Sequence, residues 1–105
     1  MTREQHLLAC LAEECSEVQK EVMKIFRFGL IKEGDAPHRS VAGREIPPNH
    51  ESLRREVIDL LAVIQMLSDA GLIDLVKTGS EMNDKMTKVE TYMKYAFELG
   101  QLEMK

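Results

Sequence analysis

Apolar residues recur at helical intervals along most of this chain, and no segment alternates apolar and polar as a half-buried strand would. Leu7, Leu8, Leu11, Cys15, Val18, Val22 and Ile25 mark a first helix. Thr2-Arg3-Glu4-Gln5 ahead of it has the spacing of a capping box, and Gly29 after it is a terminator. Leu53, Val57, Leu60, Ile64 and Leu67, widened by Leu61 and Val63, mark a second helix from Asn49 to Ala70, capped by Asn49 and ended by Gly71. Met82, Met86, Val89, Met93, Ala96 and Phe97 give a third helix, with Ser80 as its cap. Leu72 to Val76 predicts one short helical turn. The expected fold is therefore all-α: a bundle of three long helices plus a short one.

A chain of 105 residues fits one domain, 1–105, and a core this small favours completion by oligomerisation into a four-helix-type bundle. Periodicity disappears from about 29 to 49, where Gly34, Pro37, Gly43, Pro47 and Pro48 fall, predicting a long loop that also holds Lys32, His38, Arg39 and Arg44. Fourteen basic against eighteen acidic residues, a net charge of −4, argue against broad contact with a nucleic-acid polymer. No apolar run approaches the roughly 18 to 20 residues of a membrane span, and the N-terminus lacks a signal-peptide pattern. Cys10 and Cys15 lie on one helix with diverging side chains and read as reduced packing residues. These features predict a cytoplasmic protein with no membrane partner.

On a helical wheel, Glu14, Glu17 and Glu21 form a stripe beside the apolar face of the first helix, and Glu56 and Asp59 sit at the matching edge of the second. Helices packed by these faces bring Glu14, Glu17, Glu56 and Asp59 together. Four carboxylates at a half-buried seam repel one another unless a cation joins them, and Mg²⁺ takes oxygen ligands while leaving positions for water and phosphate. That chemistry points to phosphoryl or pyrophosphoryl transfer. Against it stands the plainer reading, that acidic stripes are solvated faces of a non-catalytic helical oligomerisation or interaction protein. A di-iron bundle would need Glu-x-x-His pairs, and no histidine follows these acids at that spacing.

Glu13-Glu14-Cys15-Ser16-Glu17 is an E-E-x-x-E motif, and Glu56-Val57-Ile58-Asp59 is an E-x-x-D motif on the next helix. Together they resemble those of the MazG-like all-α nucleotide pyrophosphohydrolases, which include dimeric dUTPases and dCTP pyrophosphatases. Asn83-Asp84-Lys85 with Lys88 looks like that family's third-helix segment. The resemblance covers the three long helices. It implies Mg²⁺-dependent hydrolysis of a (deoxy)nucleoside triphosphate to the monophosphate and pyrophosphate, with Mn²⁺ as a substitute ion. It implies metal ligation by Glu14, Glu17, Glu56 and Asp59, and for Glu13 either a water-orienting or proton-accepting role or a part in holding a further metal. Lys85 and Lys88 would meet phosphate oxygens, and Asn83 the sugar or phosphates. It further implies a homodimer or homotetramer. The linker between the acidic motifs is long for the family.

Several residues keep two readings. Lys20 and Lys24 can reach phosphates or pair with Glu17 and Glu21, and pairing is the expectation for Lys20. Arg27 is a candidate for substrate binding. The seven methionines read as packing residues. Phe26 and Phe28 either close the end of the bundle or stack on a base.

Overall fold

The computed structural model describes residues 1–30, 49–76 and 78–103, together with the backbone of 40–41 and 44–45. The fold is all-α, in the order α1 (Arg3–Phe28), a two-stranded antiparallel pair β1 (Ser40–Val41) and β2 (Arg44–Glu45), α2 (Asn49–Asp69) and α3 (Thr78–Glu98). The strand pair, which sets Ser40 against Glu45 and Val41 against Arg44, lies in the stretch expected to be loop. Its residues carry no alternating apolar face for periodicity to detect. The chain divides into two compact units, Met1–Ile73 and Asp74–Lys105.

In the first unit, α1 begins as its sequence predicts. The Gln5 N–H donates to Thr2 Oγ1 at 3.1 Å, and the Thr2 N–H donates to Gln5 Oε1 at 2.9 Å. Two helix-end donors are thereby satisfied reciprocally. At the other end the Gly29 N–H donates to the Ile25 carbonyl at 2.8 Å. The Asn49 side chain, buried at the start of α2, donates to the Gly29 carbonyl at 2.6 Å. This bond ties the end of α1 to the beginning of α2, so the two helices form an antiparallel hairpin. Among the described residues, Leu7 near the start of α1 and Leu67 near the end of α2 are the buried hydrophobic ones, Leu67 completely so.

Around them Leu11, Val18, Val22 and Ile25 of α1 and Leu53, Leu60, Val63 and Ile64 of α2 are half-buried. The inward face of α2 is centred where expected, on Leu53, Leu60, Ile64 and Leu67, and is narrower at one edge. Leu61 keeps 57% of its surface exposed and Val57 is also exposed, whereas Glu56 and Val63 turn inward. Periodicity placed the centre of the stripe and left the width of its buried part open. Glu56 is half-buried at the edge of the seam, where its wheel position put it.

α2 stops at Gly71, whose φ of 77° is accessible to glycine at little cost. The Leu72 N–H donates to the Leu67 carbonyl and the Gly71 N–H to the Ser68 carbonyl, both at 3.0 Å, which satisfies two carbonyls of the last turn. The short helix expected at Leu72 to Val76 does not form; these residues make bends and a turn. Asp74 Oδ1 accepts from the Val76 N–H at 2.9 Å, a local side-chain bond that competes with helix.

In the second unit, α3 starts at Thr78, so Ser80 lies inside its first turn instead of capping it. The Thr78 hydroxyl donates to the Leu75 carbonyl. Gly100, at φ 74°, closes α3 with the same pair of bonds seen at Gly71, Gly100 N–H to Phe97 and Gln101 N–H to Ala96, each at 2.9 Å. The predicted stripe of Met82, Met86, Val89, Met93 and Phe97 is present on α3, but none of these residues is buried. Spacing sets where a stripe runs and says nothing of what covers it. Among the described residues, no helix is long and apolar enough to cross a membrane.

Candidate metal centre

Glu56 and Asp59 are three residues apart on α2 and so share one face of that helix. The hairpin brings Glu14 of α1 opposite them. One carboxylate oxygen from each of Glu14, Glu56 and Asp59 lies within 4.8 Å of the others. Glu14 and Glu56 are half-buried and Asp59 is exposed, so the cluster is walled by the seam on one side and open to water on the other.

The electrostatics follow from that placement. Burial at the seam pushes the Glu14 carboxyl above its ordinary range, and the negative charges of Asp59, Glu56, Glu13 and Glu17, in that order, push it further. Each of these influences favours the protonated acid or a bound cation over a bare carboxylate. The donors are all carboxylate oxygens, with no sulfur or imidazole, which suits a hard divalent ion such as Mg²⁺. Three carboxylates also leave octahedral positions for waters and phosphate oxygens.

Glu17, expected as a fourth ligand, is not in this cluster. Lys20 Nζ lies 3.8 Å from its carboxylate, one turn along α1. Its charge still reaches Glu14. Glu13 is exposed beside Glu14, and its backbone carbonyl accepts from the Ser16 hydroxyl at 2.7 Å. Lys24 Nζ pairs with Glu21 at 3.2 Å, so Lys20 and Lys24 both take the pairing role open to them from sequence. Arg27 stacks its guanidinium over the Phe28 ring, 5.1 Å from the centroid. It lies thirteen residues beyond Glu14 on α1, about 20 Å along the axis. Phe26 is 79% exposed and does not close the hairpin end, contrary to the packing expectation. Cys15 is exposed as well, and both cysteines are free thiols. Asn83, Lys85 and Lys88 are exposed on α3, where Glu81, Asp84, Lys85 and Lys88 line a shallow groove. His38 and Arg39 lie outside the described residues.

Two residues singled out by sequence have surroundings that it did not foretell. Glu21 is buried, with its charge met by Lys24. Its place on the wheel beside Glu14 was the available signal. Asn49 read as a helix cap; in the structure its side chain joins two helices, and nothing local in the sequence foretells that partner. No protein-family model, curated protein or solved structure matches the chain.

Proposed function

We propose that this chain hydrolyses a nucleoside triphosphate to the monophosphate and pyrophosphate with the help of Mg²⁺ held by Glu14, Glu56 and Asp59. The observation that carries the reading is the convergence of three carboxylates from two helices around a point open to solvent. Mg²⁺, or Mn²⁺ in its place, would supply the positive charge that polarises the attacked phosphorus and shields the triphosphate.

The chain's own residues then have distinct tasks. Glu14, Glu56 and Asp59 would hold the cation. Glu13 orients a water and takes its proton as the water oxygen bonds to phosphorus and the phosphoanhydride bond to the leaving pyrophosphate breaks. Glu17 is one turn from Glu14, and its exposed pairing with Lys20 is weak enough to be exchanged for a metal–oxygen contact. By the family resemblance, Asn83, Lys85 and Lys88 would take sugar and phosphate oxygens, and Arg27 is kept as a more distant substrate contact.

The test is pyrophosphate release across the common ribo- and deoxyribonucleoside triphosphates, with Mg²⁺ or Mn²⁺. At least one nucleotide is expected to turn over, and Glu56→Gln is expected to abolish turnover while the far-ultraviolet circular dichroism stays helical. Release that persists undiminished in Glu56→Gln would move the chemistry away from this cluster, and no release from any nucleotide would favour the non-catalytic acidic interaction protein instead.

A further inference from the structure

The register between α1 and α2 needs a cause. Two antiparallel helices joined by about two to five residues take their register from the loop. Residues 29–48 lie between α1 and α2, and a connection that long leaves the register to contacts between the helices. Apolar packing along the seam sets it only loosely. Leu11, Val18, Val22 and Ile25 of α1 and Leu53, Leu60, Val63 and Ile64 of α2 are half-buried and recur at helical spacing. Sliding by one turn, about 5.4 Å, therefore sets similar side chains against similar ones. The carboxylates oppose the register they occupy. Glu14, Glu56 and Asp59 bring oxygens within 4.8 Å of one another, where like charges repel and sliding would part them.

A directional contact stands where α1 ends and α2 begins. The Asn49 side chain, 7% exposed, donates to the Gly29 carbonyl at 2.6 Å. Gly29 holds that carbonyl from its own side. Its N–H donates to the Ile25 carbonyl at 2.8 Å, and its φ of 79° with ψ of 159° is a combination essentially confined to glycine. A Cβ at Gly29 would meet nothing within 4 Å, so the backbone conformation calls for glycine and crowding does not. Asn49 is the first residue of α2, so a short side chain couples the ends of the two helices. Sliding by one turn would break this bond and take a buried amide from its partner, which is costly.

We propose that Asn49, acting through Gly29, is a positioning residue of the metal centre: its bond sets the register in which Glu14 of α1 meets Glu56 and Asp59 of α2. All of these residues belong to the Met1–Ile73 unit. Asn49 lies seven residues before Glu56, about 10 Å along α2, and so acts through the placement of the helix and not by touching the cation. The effect on metal binding rests on the reading of the cluster as a cation site; the effect on register does not.

Pulsed electron–electron double resonance on the full chain in EDTA tests the register. Nitroxides are attached through Met23→Cys and Leu61→Cys, both at exposed positions, with Cys10→Ala and Cys15→Ser removing the native thiols. Met23 lies nine residues past Glu14, about 14 Å along α1, so the label distance responds to sliding. Asn49→Asp keeps the size of the side chain and puts an acid at a helix start, where it is favourable, but removes the donor. Asn49→Asp and Gly29→Ala are each expected to shift or broaden the label distance by a few ångströms while circular dichroism stays helical. In the unlabelled proteins, Mn²⁺ binding followed by electron paramagnetic resonance is expected to weaken about three- to tenfold in both variants. A bond that merely stabilised the hairpin would lower the urea midpoint and leave the distance unchanged, and an unchanged distance overturns the proposal. A shifted distance with full Mn²⁺ affinity would overturn it too, since the carboxylates would then meet without the bond. A wild-type chain that binds no Mn²⁺ sinks the cation reading instead, and the label distance still decides whether Asn49 sets the register.

Discussion

Replacing Glu56 by Gln should reverse the order of stability between variant and wild type when Mg²⁺ is added. Glu56 and Asp59 place carboxylate oxygens within 4.8 Å of each other. At that separation two unit charges repel by about 0.9 kcal/mol in bulk water, and about half of this survives physiological salt. Removing the Glu56 charge should therefore stabilise the metal-free protein by about 0.5 kcal/mol through this pair alone, raising Tm by roughly 2–4 °C for a domain of this size. With Mg²⁺ at ten times its dissociation constant, the wild type should gain about 1.4 kcal/mol, because the ion binds only the folded state. That corresponds to a rise of roughly 6–11 °C. The variant lacks one of three ligands and should gain little. Thermal unfolding by circular dichroism, first in EDTA and then across a Mg²⁺ titration, gives both quantities. Equal responses of the two proteins to Mg²⁺, or a variant less stable than wild type in EDTA, would refute the convergent-carboxylate reasoning.

The remaining expectations use other parts of the hairpin. Because the folded-state pKa of Glu14 is raised above 4.5, its contribution to metal-free stability is fully present below pH 4.5 and is lost as pH rises through the higher folded value. Chemical denaturation in EDTA should show this decline, Glu14→Gln should flatten it, and Mg²⁺ should stabilise progressively more as pH rises through the same window. Leu67 is completely buried, so Leu67→Ala should cost about 2–5 kcal/mol in urea denaturation. A loss below about 1 kcal/mol would mean that the hairpin seam is not the core of the first unit.

Sequence by itself determined where the helices run and much of how they end. Thr2 and Gln5 cap α1 through bonds between near neighbours, and Gly71 and Gly100 close α2 and α3 because glycine meets the left-handed conformation at little cost. Wheel positions likewise put Glu14 and the Glu56–Asp59 pair at one seam. What spacing could not fix was anything that depends on competition between partners. Glu17 pairs with Lys20 outside the cluster, and Asp74 accepts a local bond from the Val76 N–H where a short helix was expected. Only the tertiary structure decided how much of the apolar stripe of α2 is buried against α1. That limit follows from packing across the hairpin and from the Asn49 bond to Gly29. It leaves Val57 and Leu61 exposed, because a helix's periodicity specifies where its apolar residues lie while only a packed neighbour decides which of them it covers.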